Sequence, residues 1–191
     1  EEINKGIDAG ITDIGENKVQ EIMDKYDFVK PVRWHMIGHL QTNKVKYIID
    51  KVSLIQSVDS VKLAKEISKN ALKHNITMDI LVEINIGEEE SKTGFSQEEF
   101  FDSLYQIAEL KDISVKGLMT IPPICENNTI LCKYFEKIHN IYVDIKEKKL
   151  DNIIEPILSM GMSDSYREAV IAGSSLIRVG TLLFGARNYN V

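Results

Sequence analysis

The sequence predicts an α/β fold, a parallel (β/α)8 barrel of the TIM type whose first strand is absent from the chain. Three observations point there. Apolar, β-branched runs alternate with amphipathic helical stretches along the whole of the 191 residues, with no succession of hairpin turns; that order selects parallel strands joined by right-handed helical crossovers. About seven strands can be read from the periodicity, and the first helix has none before it, so an eighth is expected upstream. An open doubly wound sheet is the other architecture this order permits. No GxGxxG or GxxxxGK[ST] run stands at a strand–helix junction, which removes support for the dinucleotide and P-loop readings and favours the barrel.

The elements follow in order. The chain starts inside a helix whose Ile3 and Ile7 share a face and which Gly10 closes. Residues 11–15 read as a short strand, and 16–26 as a helix with Val19, Ile22 and Met23 at helical spacing. Strands at 33–38 and 53–57 are followed by helices at 41–50 and 61–74. Residues 78–86 form the clearest strand, β-branched and largely apolar as burial on both faces requires. The helix at 96–110 opens with a capping box, Ser96-Gln97-Glu98-Glu99. A strand at 115–121 is stopped by Pro122-Pro123, and a long helix spans 128–148. The pattern closes with a strand at 156–160, a short helix at 163–172 and a last strand at 175–184. No linker divides the chain, so residues 1–191 are expected to form one domain, incomplete at its N-terminus.

Composition narrows the function. Hydrophobic residues make up 43% and charged residues 27%, an ordinary globular balance. A net charge of −6, with lysines interleaved among acids as in Lys62-Leu63-Ala64-Lys65-Glu66, argues against a phosphate-backbone binder. Cys125 and Cys132 match neither a redox pair nor a zinc knuckle, and read as reduced thiols of a cytoplasmic protein. No apolar run approaches the roughly 18 residues of a membrane span, and no basic-then-apolar leader is present. No histidine pair with a carboxylate has metal spacing, so no metal is expected.

In parallel α/β folds chemistry gathers at the C-terminal ends of the strands. Those ends carry Gly15-Glu16-Asn17, His35 to His39, Asn85, Met119-Thr120, Ser159-Met160-Gly161-Met162-Ser163-Asp164, and Arg178-Val179-Gly180-Thr181 with Phe184-Gly185-Ala186-Arg187. The last two sets suit a phosphate. Gly161 and Gly180 allow close backbone approach, Ser163 and Thr181 offer hydroxyls, and Arg178 is a permanent cation. Each has a plainer reading too: Ser163 or Ser165 capping a helix, with Ser165-Tyr166-Arg167-Glu168 as the capping box, and Gly180 permitting packing. His35, between Trp34 and Met36, is by itself an ordinary core histidine; His39, at the strand end, is the better polar candidate. Glu88-Glu89-Glu90 reads as a solvated loop, and Ser91-Lys92-Thr93-Gly94 as a turn over the barrel mouth.

Trp34-His35-Met36-Ile37-Gly38-His39-Leu40-Gln41-Thr42-Asn43-Lys44, with Ile48 beyond, resembles the signature of the pyridoxal phosphate homeostasis family, the YggS or PROSC-like proteins. The strand-end blocks above, with Gly117-Leu118-Met119-Thr120-Ile121-Pro122, are similar to the family's other blocks in the same order, across essentially the whole chain. The resemblance implies a barrel like the N-terminal domain of alanine racemase, binding pyridoxal 5′-phosphate as a non-catalytic carrier in its intracellular homeostasis. It implies that Met162, Ser163, Gly180 and Thr181 hold the phosphate, that Arg178 faces the pyridine nitrogen or the phosphate, and that Asn17 lies near the phenolic edge of the ring. His35, Met119 and Ser159 complete the expected cofactor-binding set.

The resemblance also implies a lysine that takes the cofactor aldehyde as a Schiff base, at the end of a strand preceding residue 1. Lys5, Lys18 and Lys44 do not match its position, so no catalytic residue is expected in the chain. Loss of that strand would leave two open barrel edges, and with them self-association. Apo forms of pyridoxal phosphate enzymes are the other expected partners. The competing function is an amino-acid racemase. Two-base chemistry needs a second acid–base residue from a domain beyond the barrel, and the chain stops at Val191.

Overall fold

The computed structural model describes residues 1–89, 92–125, 127–147 and 156–185. Seven parallel strands form one sheet in chain order: β1 Asp13–Glu16, β2 Arg33–Met36, β3 Leu54–Val58, β4 Met78–Glu83, β5 Ile113–Met119, β6 Ile157–Met162 and β7 Leu176–Arg178. The helices are α1 Glu2–Asp8, α2 Val19–Lys25, α3 Val61–His74, α4 Gln97–Ala108, α5 Asn128–Glu147, α6 Tyr166–Ile171 and α7 Thr181–Phe184. The sheet curls into a nearly closed barrel, so that side chains of β3 and β6 meet across its interior. Among the described residues β1 and β7 are the two edges and do not pair with each other. No helix of the described residues is long and apolar enough to cross a membrane.

Side-chain alternation along the strands builds two cores. Outward residues such as Ile55, Ile80, Val82, Val115, Leu118 and Leu158 pack under Leu63, Ile67, Phe100, Leu104, Phe135 and Ile138 of the helices. Inward residues Leu54, Leu81 and Met119, with Ile121, Ile157 and Leu176, plug the barrel. One inward position further along β3, β4, β6 and β7, toward the C-terminal end, the plug gives way to polar residues: Gln56, Glu83, Ser159 and Arg178. That step from apolar to polar positions the site.

Local chemistry sets the helix ends. Ser60 Oγ accepts the Leu63 amide at 3.2 Å to cap α3, and Asn75 closes it in the left-handed conformation (φ 53°). Ser96 caps α4 through the Glu99 amide, the first half of the expected capping box, while the Glu99 carboxylate accepts from the Ser96 hydroxyl at 3.0 Å rather than from its backbone amide.

Three expectations need correction. Residues 41–50 do not form an α-helix; Thr42–Tyr47 is a 3-10 turn with bonds such as Lys44 N to Gln41 O. β-Branched Thr42, Val45, Ile48 and Ile49 are poor helix formers, and burial of Leu40, Val45, Ile48 and Ile49 draws the backbone onto the sheet instead. The last strand ends at Arg178 rather than continuing to 184, because the Gly180 and Leu182 amides turn to Ser163 Oγ and Thr181–Phe184 becomes α7. Ser165 forms no capping box on α6: its hydroxyl accepts the Met162 amide at 3.1 Å and ties a turn at the end of β6. Glu90, Ser91, Lys148, Ala186 and Arg187 lie outside the described residues.

Candidate functional site

The polar layer at the barrel mouth is one connected structure. Arg178 donates from Nη1 to Ser159 Oγ and from Nη2 to the Thr120 carbonyl at 2.9 Å. Ser159 Oγ donates to Gln56 Oε1 at 2.7 Å, and Gln56 Nε2 lies 3.0 Å from His35 Nδ1. His35 Nε2 stands 3.2 Å from Asp13 Oδ1, whose other oxygen binds Arg33 at 2.7 Å. Thr120 in turn donates to the Ile84 carbonyl at 2.7 Å, which ties β5 to the end of β4. Burying an amide, a hydroxyl and an imidazole is costly unless each finds partners, and here the partners come from one another.

Burial moves the titrating groups. It pulls the enclosed Arg178 guanidinium down to about 10, against some help from Glu83, so the group stays charged at neutral pH. It lowers His35 despite the opposing pull of Asp13, which favours neutral imidazole. Burial alone would raise Asp13, but hydrogen bonds from Arg33 and Thr12 outweigh it and keep the carboxylate low. Glu83, 6% exposed, is raised by burial; Thr93 Oγ1 donates to its Oε1 at 3.0 Å, while Oε2 has no partner among the described residues.

A second cluster adjoins the first. Met162 pairs with Arg178 across β6 and β7. The next residue, Ser163, collects the backbone amides of Gly180 at 3.3 Å and Leu182 at 3.4 Å on its hydroxyl. Ser163 and Leu182, with Asp164, Tyr166, Arg167 and Glu168, line a cleft of about 330 Å³. A cleft of similar size between α5 and α6, lined by Cys132, His139 and Gly173, lies away from the strand ends.

The structure therefore brings His35, Ser159 and Arg178 into one network, and Met162, Ser163, Gly180 and Thr181 into a cluster beside it. Met119 and Ser159 are wholly buried. Asn17 is exposed at the end of β1, and its backbone packs against Gly38 so closely that a side chain there would strike the Asn17 carbonyl. His39 is joined to Asp59 at 2.9 Å. Sequence reasoning missed Asp13, Gln56 and Glu83. The available signal was parity: Gln56 stands two residues after inward Leu54, and Glu83 two after inward Leu81.

The family model of the alanine racemase N-terminal domain matches residues 2–188. A pyridoxal phosphate homeostasis protein of Aquifex aeolicus is 44% identical over 191 residues, spanning 99% of this chain and 83% of the relative. The protein of that name in Escherichia coli is 34% identical over 194 residues, spanning 98% of this chain and 81% of its own. Among solved structures, PipY of Synechococcus elongatus with PLP bound superposes with a TM-score of 0.86 at 28% identity, over 96% of this chain and 86% of that one. Alanine racemase of Clostridium difficile has a TM-score of 0.75 at 16% identity and is matched over 47% of its length, a likeness of fold alone.

Proposed function

Because the chain belongs to the pyridoxal phosphate homeostasis proteins, within the family of the alanine racemase N-terminal domain, we propose that it is a pyridoxal 5′-phosphate carrier acting in homeostasis of that cofactor without catalytic turnover. The observation that carries the reading is the adjacency of two donor sets at the barrel mouth. Arg178, whose guanidinium is held by Ser159 and the Thr120 carbonyl, pairs through its backbone with Met162, and the amides of Gly180 and Leu182 converge on the Oγ of the next residue, Ser163. Amide and hydroxyl donors suit phosphate oxygens, and a cation that can only donate suits an unprotonated ring nitrogen.

In this reading Met162, Ser163, Gly180 and Thr181 hold the phosphate and Arg178 faces the ring nitrogen. Asn17, His35, Met119 and Ser159 complete the surroundings. The cofactor supplies an aldehyde and an electron-withdrawing ring; a guanidinium at the ring nitrogen keeps that nitrogen unprotonated and weakens the withdrawal. Arg178 retains its charge at neutral pH, and His35, held neutral, adds no competing cation at the mouth. The described barrel is taken as a single binding unit in the cytoplasm, in keeping with the free thiols Cys125 and Cys132. Apo forms of enzymes that use the cofactor are the proposed recipients. The edges of β1 and β7, which do not pair with each other among the described residues, are the proposed route of self-association.

Titration with pyridoxal phosphate, followed by absorbance and equilibrium dialysis, tests the reading. Saturable one-to-one binding is expected, weakened about tenfold to a hundredfold in Arg178→Ala, the range for losing a charge-assisted hydrogen bond. Absence of saturable binding would overturn the carrier reading. Robust interconversion of L- and D-alanine by the loaded protein would overturn the claim of no turnover.

A further inference from the structure

Gln56 was not among the residues the sequence singled out, yet it joins the two halves of the polar layer. It lies on β3, is 1% exposed, and follows Leu54 and Ile55. An apolar residue there would extend the plug beneath it and avoid the cost of a buried amide. The amide is satisfied at both ends, by Ser159 on one side and His35 on the other.

The chain of bonds has one consistent direction. At one end Arg178 can only donate, so Ser159 Oγ accepts from it and gives its own proton to Gln56 Oε1. The Gln56 amide then presents Nε2 to His35, whose Nδ1 must accept. The ring proton therefore sits on Nε2, facing the Asp13 carboxylate, which can only accept. A pure donor at one end and a pure acceptor at the other leave each member a single orientation. A second proton on His35 would set Nδ1–H against Gln56 Nε2–H and force the amide to rotate. The charged groups facing the chain are Asp13 on β1 and Arg33 on β2 at the His35 end, and Glu83 on β4 at the Arg178 end; Glu83 in turn faces Asp59 and His39.

We propose that Gln56 is a positioning residue for Arg178: acting through Ser159, it fixes which guanidinium N–H groups remain free for a ligand, and so holds the ring nitrogen of bound pyridoxal phosphate unprotonated. This rests on the cofactor-binding reading above. Gln56 makes no hydrogen bond to Arg178; Ser159 and the Thr120 carbonyl hold the guanidinium, and Gln56 sets the direction of the Ser159 hydroxyl.

The probe is 4′-deoxypyridoxine 5′-phosphate, which lacks the aldehyde, so its binding depends on no lysine, and whose ultraviolet spectrum reports ring-nitrogen protonation. Wild type, Gln56→Leu, Ser159→Ala and the double variant are titrated with it, and the bound spectrum is followed against pH. Each single variant is expected to bind about threefold to tenfold more weakly and to raise the pH midpoint of ring-nitrogen protonation. The double variant should shift the midpoint no further than the larger single change, because both cut the same chain. An unchanged midpoint in a folded single variant, or fully additive shifts, overturns the proposal. Should Gln56→Leu fail to fold, Gln56→Met takes its place in the same titration. Failure of wild type to bind the probe would instead overturn the cofactor-binding reading, and the role of Gln56 with it.

Discussion

Replacing Glu83 by glutamine should stabilise the ligand-free protein, and only above acid pH. Glu83 closes the inward face of β4, 6% exposed, with Oε1 bonded to Thr93 and Oε2 without a partner among the described residues. Burial raises its pKa above the unfolded value; Asp59 adds to the rise, while Thr93, Arg178 and His39 oppose it. Below the unfolded value, about 4.3, the carboxyl is protonated in both states and carries no penalty. As pH climbs through the raised folded value, the proton must leave a buried site, and the folded state loses stability by that amount. The amide of Glu83→Gln cannot ionise, and its carbonyl still accepts from Thr93. The variant and wild type should therefore melt together at acid pH and diverge as pH rises, up to a plateau. An unsatisfied buried polar group costs about 1–3 kcal/mol, and more when it is charged, so for a chain of this size the difference should reach at least roughly 2–12 °C in Tm. Thermal melts by circular dichroism across pH 4–9 (about the range in which native carboxylates and histidines titrate) measure it. A difference that is flat with pH, or that turns against the variant as pH rises, would refute the reasoning.

Other expected outcomes concern separate parts of the chain. His35, whose pKa burial lowers, contributes stability that is complete above about pH 6.5 and is lost as pH falls through the folded value; His35→Asn should flatten that acid limb in the same melts. Ser60→Ala removes the N-cap of α3 and should cost about 1 kcal/mol in urea denaturation, with the m-value unchanged. Gly117→Ala meets both a positive φ of 135° and the Ile157 backbone across the β5–β6 pair. It should cost several times as much as Ser60→Ala, since the neighbour is backbone and cannot turn aside.

Much of the fold was legible because its signals are local. The helix Val61–His74 follows from the spacing of Leu63, Ala64, Ile67 and Ala71 and from a serine at its head, and the run at 78–86 could be little other than a buried strand. Where local signals conflicted the reading slipped. Residues 175–184 are apolar enough for a strand, but Ser163, from another loop, takes the amides that would have continued it. The candidate site was half legible. Arg178, Ser163 and Gly180 stood out by type and place, whereas Gln56 and Glu83 were hidden in strands whose inward parity was not read.

The order of strands and helices, the split of each strand into an outward apolar face and an inward one, and the family itself are written in short stretches of the chain, because periodicity, capping and motif spacing act over a few residues. Which inward polar groups meet is a different matter. Gln56 and Ser159 are 103 residues apart, and their bond exists because the sheet curls until β3 faces β6 across the barrel. The direction of every proton from Arg178 to Asp13 follows from that closure, since each buried donor must be matched to an acceptor brought in from another strand.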